Sequence, residues 1–308
     1  MKQAMKRTSS RSASRSSPSE LLIRQRLAAL SRTLPGARKG DVHAVHQARV
    51  ATRRIREALP LIAQGRSGKS LKKSVRKLTR ALGPVRELDV ALLNLDQLRT
   101  SGDVPETAIA RLRQLITEER QRLGAEMVRR IAQYNLPKLQ KKAVEAANRG
   151  TPVKSGTRDP RRAAAAMGRA ARRAVALRVA MDNAAGIYLP DRLHEVRIAV
   201  KKLRYALEIA RDLSGSRATV RIRTLKRVQD LLGRMHDLEM LIARTRAIQS
   251  RAGAPNLKLS GDLDRLVRRL ENECRRLHVR YMNERKALRG ICDYVTAREA
   301  RTGNASAA

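Results

Sequence analysis

The chain has 308 residues, 68 Lys and Arg against 28 Asp and Glu, and a formal net charge of +40. That charge predicts polyanionic partners (nucleic acid, polyphosphate or an anionic membrane surface) and strong self-repulsion until an anion is bound. The absence of Trp and Phe, with only five Tyr, argues against base stacking on single-stranded nucleic acid, two Cys are too few for a disulfide framework or a zinc site, and no apolar run reaches membrane-spanning length.

In chain order, residues 1–18 read as a disordered basic tail, rich in Arg and Ser and without an acid before Glu20. Organelle transit peptides share this composition, but no amphipathic periodicity accompanies it and no apolar signal core is present. From Ser19 onward apolar residues recur at three- and four-residue intervals, and strand signals are missing. The fold class expected is all-α. Gly, Pro and Ser clusters mark helix breaks at 33–41, 63–70, 100–106, 148–160, 186–191, 213–217 and 251–262. They divide the chain into a first helical bundle over 19–148, a linker over 149–160, a second bundle over 161–296 and a tail over 297–308. Cys274 and Cys292, on one helical stretch, read as two reduced thiols of a cytosolic protein.

The first bundle contains HQARVATRRIREALPLI (46–62) and the second HEVRIAVKKLRYALEIA (194–210). A shift of 194 − 46 = 148 aligns them without a gap. At about 100° per residue, Arg49, Arg53 and Arg56 fall within roughly 80° of His46, with Ala51, Ile55, Leu59 and Ile62 opposite. His194, Arg197, Lys201 and Arg204 repeat the stripe, while Arg54 and Lys202 sit at its flank. An ordinary solvated face mixes signs, and like charges one turn apart cost a few tenths of a kcal/mol each. An anion would relieve that repulsion, and Arg forks and Lys point charges both suit phosphate.

The following helix in each half adds Lys73, Arg76 and Lys77, then Arg223, Lys226 and Arg227. If each half folds as an antiparallel hairpin, these cations face the stripe across a groove. LGPVRELDV (82–90) also matches LGRMHDLEM (232–240), at a shift of 150. Two tandem bundles with a pseudo-twofold relation are therefore expected. The acids of RELD and HDLE are placed near helix N-termini, where negative charge is favourable. His43 and His46, three apart among arginines, make a poor metal site, and no metal or cofactor is expected. His46 and His194 read as hydrogen-bond donors to phosphate or to a neighbouring helix. The sequence carries no nucleophile motif, phosphate-cradling Gly-rich loop or Mg²⁺-binding carboxylate cluster, so no catalytic residue is assigned.

H-x-x-R-V-x-x-R-R-x-R, then H-x-x-R-I-x-x-K-K-L-R-Y, together with the LG-x-x-R-E-L-D-V block, resemble the CHAD domain, the conserved histidine α-helical domain. The likeness covers roughly residues 20–296. It implies two four-helix-like bundles around a basic central pore that binds inorganic polyphosphate without hydrolysing it, in proteins that can associate with polyphosphate granules. The motif positions carried over are His46, Arg49, Arg53, Arg54 and Arg56, then His194, Arg197, Lys201, Lys202, Arg204 and Tyr205. The family often has Asp where this chain has Glu87 and Glu239. ENECR (271–275) only superficially resembles the E-x-E-x-K strand of a triphosphate tunnel domain. The partner expected is polyphosphate, with weak non-specific nucleic-acid contact, in the cytoplasm or on granules, without membrane insertion. A nucleic-acid-compacting protein with its charge on the outer surface is the competing reading.

Overall fold

The computed structural model describes residues 17–63, 65–100, 102, 104–148, 160–184, 186–215, 218–250 and 257–304. Residues 1–16, most of the expected basic tail, and 149–159, almost all of the expected linker, lie outside the described residues. The described residues form ten α-helices and no strand. They are α1 (Pro18–Arg38), α2 (Val42–Ile62), α3 (Gly65–Ala81), α4 (Gly83–Thr100), α5 (Glu106–Ala132), α6 (Leu136–Asn148), α7 (Pro160–Asn183), α8 (Pro190–Ser214), α9 (Thr219–Gln249) and α10 (Leu257–Asn304).

Local chemistry sets the ends of the leading helices. The Ser17 hydroxyl accepts from the Glu20 amide at 3.2 Å, and the Asp41 carboxylate accepts from the Ala44 amide at 2.6 Å. Both are N-caps, satisfying amides that have no partner within the helix. The break expected at 33–41 shrinks to a turn. α1 continues past Pro35 because Leu34 and Ala37, on either side of that proline, are fully buried. Their packing offsets the hydrogen bond that Pro35 cannot donate. At the other end α10 runs to Asn304, through residues expected to form a tail.

α1 packs on α2, and α7 on α8. α2 then packs on α3, and α8 on α9. The halves differ at the LG block. In the first, Gly83 and Pro84 interrupt the chain and start α4. In the second, Arg234 stands where the first half has Pro84, and α9 passes straight through Gly233. HDLE therefore lies inside a helix and not at an N-terminus, so dipole stabilisation does not explain its acids. α6, packed on α1 and α3, completes the first half. Cys274 and Cys292 are both buried and unbonded to each other on α10.

Arginine–carboxylate pairs join the halves. Arg169 of α7 reaches Glu57 of α2 at 2.8 Å, and Arg244 of α9 reaches Glu119 of α5 at 2.6 Å. Arg26 of α1 donates to the Arg54 carbonyl at 2.8 Å and to Asp212 of α8 at 3.3 Å. Arg234 donates to Gln97 at 2.9 Å and to Asn94. These contacts fix α2 and α4 opposite α8 and α9, which is what creates the cleft.

Candidate polyanion-binding cleft

A cleft of about 410 Å³ opens between α2, α4, α8 and α9. Its walls come from equivalent positions of the two halves. His46, Arg49, Val50 and Arg53 of α2 correspond, at the shift of 148, to His194, Arg197, Ile198 and Lys201 of α8, and all eight line the space. Arg86, Glu87 and Val90 of α4 correspond, at the shift of 150, to His236, Asp237 and Met240 of α9, and these six line it too. A second space of about 330 Å³ adjoins the first, and Arg53, Arg86, Arg197 and Lys201 line both.

Small residues let two of the arginines lie flat across a helix backbone. A Cβ on Gly83 would stand 2.8 Å from the Arg49 Nη1 atom. The same guanidinium donates to the Thr79 carbonyl at 3.1 Å and to Glu87 at 3.3 Å. The equivalent Gly233 faces Arg197, though with more room, 3.9 Å to Nε. Each LG block thus clears space for an arginine of the preceding stripe.

Cations outnumber acids in the lining. Arg53, Arg86, Arg197 and Lys201 have no carboxylate in ion-pair contact among the described residues. Burial, then the charges of Arg53, Arg197, Arg49 and Arg56, lowers the Lys201 ammonium to about 7. Burial and Arg53 push Arg49 down to about 10, with Arg56 and Arg86 adding to the effect and Glu87 opposing it. Arg197 is lowered mainly by burial, against the opposing charge of Asp237; Arg53 adds to the shift from across the cleft and Glu87 opposes it. Each shift says that positive charge is less stable here than in water. The acids do not cancel it. Asp237 is itself raised by burial, against the pull of Arg197, Arg86 and Arg234.

His194 and His236 meet across the α8–α9 contact, with their Nδ1 atoms 3.3 Å apart. Burial and the neighbouring Arg197 lower both, His236 to about 4. One neutral ring donates to the other, and each keeps an Nε2 free for a further bond. His46 is lowered by burial and by Arg86. Among the described residues, no group of three or more His, Cys, Asp or Glu gathers where a metal ion could be held.

The remaining sequence-derived positions lie elsewhere. Arg56 is half-buried beside the cleft, within electrostatic reach of Arg49 and Lys201. Arg54 turns instead to a neighbouring space of about 560 Å³ between α1, α2 and α8. Lys202 is half-buried outside the lining. Arg204 does not share the open face. It is buried, donates to Gln229 at 3.0 Å and to Glu208, and lies 4.3 Å from the centre of the buried Tyr205 ring. Lys73, Arg76, Lys77, Arg223, Lys226 and Arg227 do not face the stripes either; all are exposed on the outside. The reason is the order of packing: α3 ends at Ala81, and α4 with the C-terminal part of α9 stands across the groove. Arg86, His236 and Arg244 are lining residues that the stripe reasoning passed over. Arg86 and His236 were within reach, since they occupy the same place in the two LG blocks.

The family model described as "CHAD domain" matches residues 21–246. The chain belongs to the CHAD family. Two solved structures share the fold. The CHAD domain from the plant Ricinus communis is 19% identical, covers 89% of this chain and 92% of its own, and superposes with a TM-score of 0.66. PptA from Streptomyces chartreusis is 18% identical, covers 87% and 98%, and gives 0.63. The sequence matches no curated protein. CHAD domains are generally binding domains associated with polyphosphate, which gives this chain a polyphosphate-related role in general terms. No helix among the described residues is long and apolar enough to cross a membrane.

Proposed function

We propose that the cleft binds inorganic polyphosphate and holds it without turnover, and that the protein works in the cytoplasm at polyphosphate granules. The observation that carries this reading is the group of Arg53, Arg86, Arg197 and Lys201, contributed by both halves, half-buried and with no carboxylate in ion-pair contact among the described residues, although Asp237 in the same lining attracts Arg86 and Arg197. Half-buried cations that outnumber the acids around them are costly, and a chain of phosphates supplies counter-ions at close, regular spacing. Arg49 and Arg197 offer planar forks, Lys201 a point charge, and the histidine pair a neutral donor. The two halves act together in a pseudo-twofold arrangement, each presenting one stripe to the same ligand. Supporting a holding role, the lining offers no activated nucleophile and no metal cluster among the described residues.

The test is a titration of the full chain with long-chain polyphosphate and with duplex DNA at equal phosphate concentration and physiological salt. Charge-assisted contacts are worth about 1.5–3 kcal/mol each, so Arg53→Gln with Lys201→Gln should weaken polyphosphate binding about 100-fold or more. DNA binding should be weak and nearly unchanged. Equal affinity for both polymers, insensitive to the double change, would assign binding to bulk charge and end the cleft reading.

A further inference from the structure

α3 is the one helix of the ten whose sequence contains no Asp or Glu. Lys69, Lys72, Lys73, Arg76, Lys77 and Arg80 are all exposed on it. At about 100° per residue they fall within an arc of roughly 140°. Leu71, Val75 and Leu78 are buried on the opposite side. Among the described residues no carboxylate forms an ion pair with any of the six.

The corresponding stretch of the second half is neutralised in part, with Arg223 left exposed and without an ion pair among the described residues. Lys226 pairs with Asp230 at 2.7 Å, and Arg227 grips Glu284 with two bonds of 3.0 and 2.8 Å. Arg221 lies 3.3 Å from the centre of the Tyr294 ring. What sets α3 apart is that its six cations share one face of a helix that carries no acid, whereas Asp230 and Glu284 cover two of the cations on α9.

The C-terminal end of α3 lies against the cleft wall. The carbonyl of Thr79, in the last turn of α3, accepts from Arg49 in the cleft wall at 3.1 Å. From Arg80 back to Lys69 the ridge runs about 16 Å, at 1.5 Å per residue. We propose that the outer face of α3 is a second polyphosphate-binding surface, a track that receives a long chain where it leaves the cleft and makes the protein select long polyphosphate over short. The proposal rests on the cleft reading above. A flexible single chain can turn from the cleft onto the ridge. Duplex nucleic acid, stiff over about 50 nm, cannot enter the cleft and follow so short a track. Joining two surfaces on one ligand raises affinity by about 10²–10⁴ when the geometry allows both to engage.

The experiment uses the full chain with tripolyphosphate, long-chain polyphosphate and duplex DNA as probes. The ridge variant is Lys69→Gln, Lys73→Gln, Arg76→Gln and Lys77→Gln, all exposed changes, with helical content checked by circular dichroism. The cleft variant is Arg53→Gln with Lys201→Gln. The ridge variant should bind tripolyphosphate within about twofold of the natural protein. Its affinity for the long chain should fall at least tenfold, with a flatter salt dependence. Unchanged binding of the long chain, or equal loss of both lengths, would overturn the track. Loss of DNA binding alone would overturn it in favour of nucleic acid. If the cleft variant keeps full affinity for tripolyphosphate, it is the cleft reading that fails, and the two failures are told apart by the probe length at which they appear.

Discussion

Arg56 and Arg204 stand at equivalent positions, 204 − 56 = 148 residues apart, and meet different fates. Arg56 is half-buried beside the cleft and adds its charge to Arg49 and Lys201. Arg204 is buried against Tyr205 and bonded to Glu208 and Gln229. The pattern extends outward: the cations of α3 stand bare, while Lys226 and Arg227 of α9 are paired. At these matched positions the second half ties its cations into internal contacts, and the first leaves them without an acid partner. A repeated motif thus fixes where a cation stands along a helix, while the neighbouring helices decide whether it is free.

The sharpest break in this comparison is between Arg204→Met and Arg56→Met. Removing Arg204 takes from the buried Glu208 its hydrogen-bonded partner, leaving only the longer contact to Arg54 at 3.9 Å, and should cost about 2 kcal/mol of stability, read by denaturant unfolding. Arg56→Met should change stability by no more than about 0.5 kcal/mol. Equal effects would mean that the two arginines serve the same purpose.

Proton linkage comes next in size. Lys201 sits near 7 in the free cleft, and a bound polyanion favours its charged form and raises that value. Binding therefore takes up a proton. Affinity should be greatest below pH 7 and should fall as pH rises through 7 towards 9, by at most about tenfold per pH unit for one proton. Lys201→Gln should remove that slope. The stability of the free protein moves the other way. The folded value of about 7 lies below the unfolded 10.5, so between them the unfolded chain holds the extra proton and this group's contribution to stability rises with pH.

The glycines give a smaller contrast. Gly83→Ala places a methyl against Arg49 and should weaken polyphosphate binding by about threefold to tenfold, whereas Gly233→Ala, with ordinary contact distance to Arg197, should be near neutral. The smallest effect expected is a gain. Asp230→Asn with Glu284→Gln frees Lys226 and Arg227, makes the second half resemble the first, and should raise long-chain affinity about twofold to threefold at low salt.

Much of the fold was legible because its signals are local. Apolar spacing and Gly and Pro punctuation led to an all-helical chain, which the described residues show. The stripe on His46, Arg49 and Arg53 and its copy on His194, Arg197 and Lys201 were legible for the same reason: one helix face is a property of one helix. What lies across a groove is not. Sequence order suggested that Lys73, Arg76 and Lys77 would face the stripe, but Pro84 starts a new helix, and Arg86 takes that place with His236 opposite. Arg204 fits the stripe by angle alone. Its burial depends on Gln229, 25 residues away on α9, and no helical wheel contains that neighbour.

The most direct measurement is a crystal structure of the full chain with polyphosphate bound. Phosphate groups are expected in the cleft, within hydrogen-bond distance of Arg53, Arg197 and Lys201, with ligand contacts from both halves. Phosphates found only on outer faces, with the cleft holding none, would contradict it.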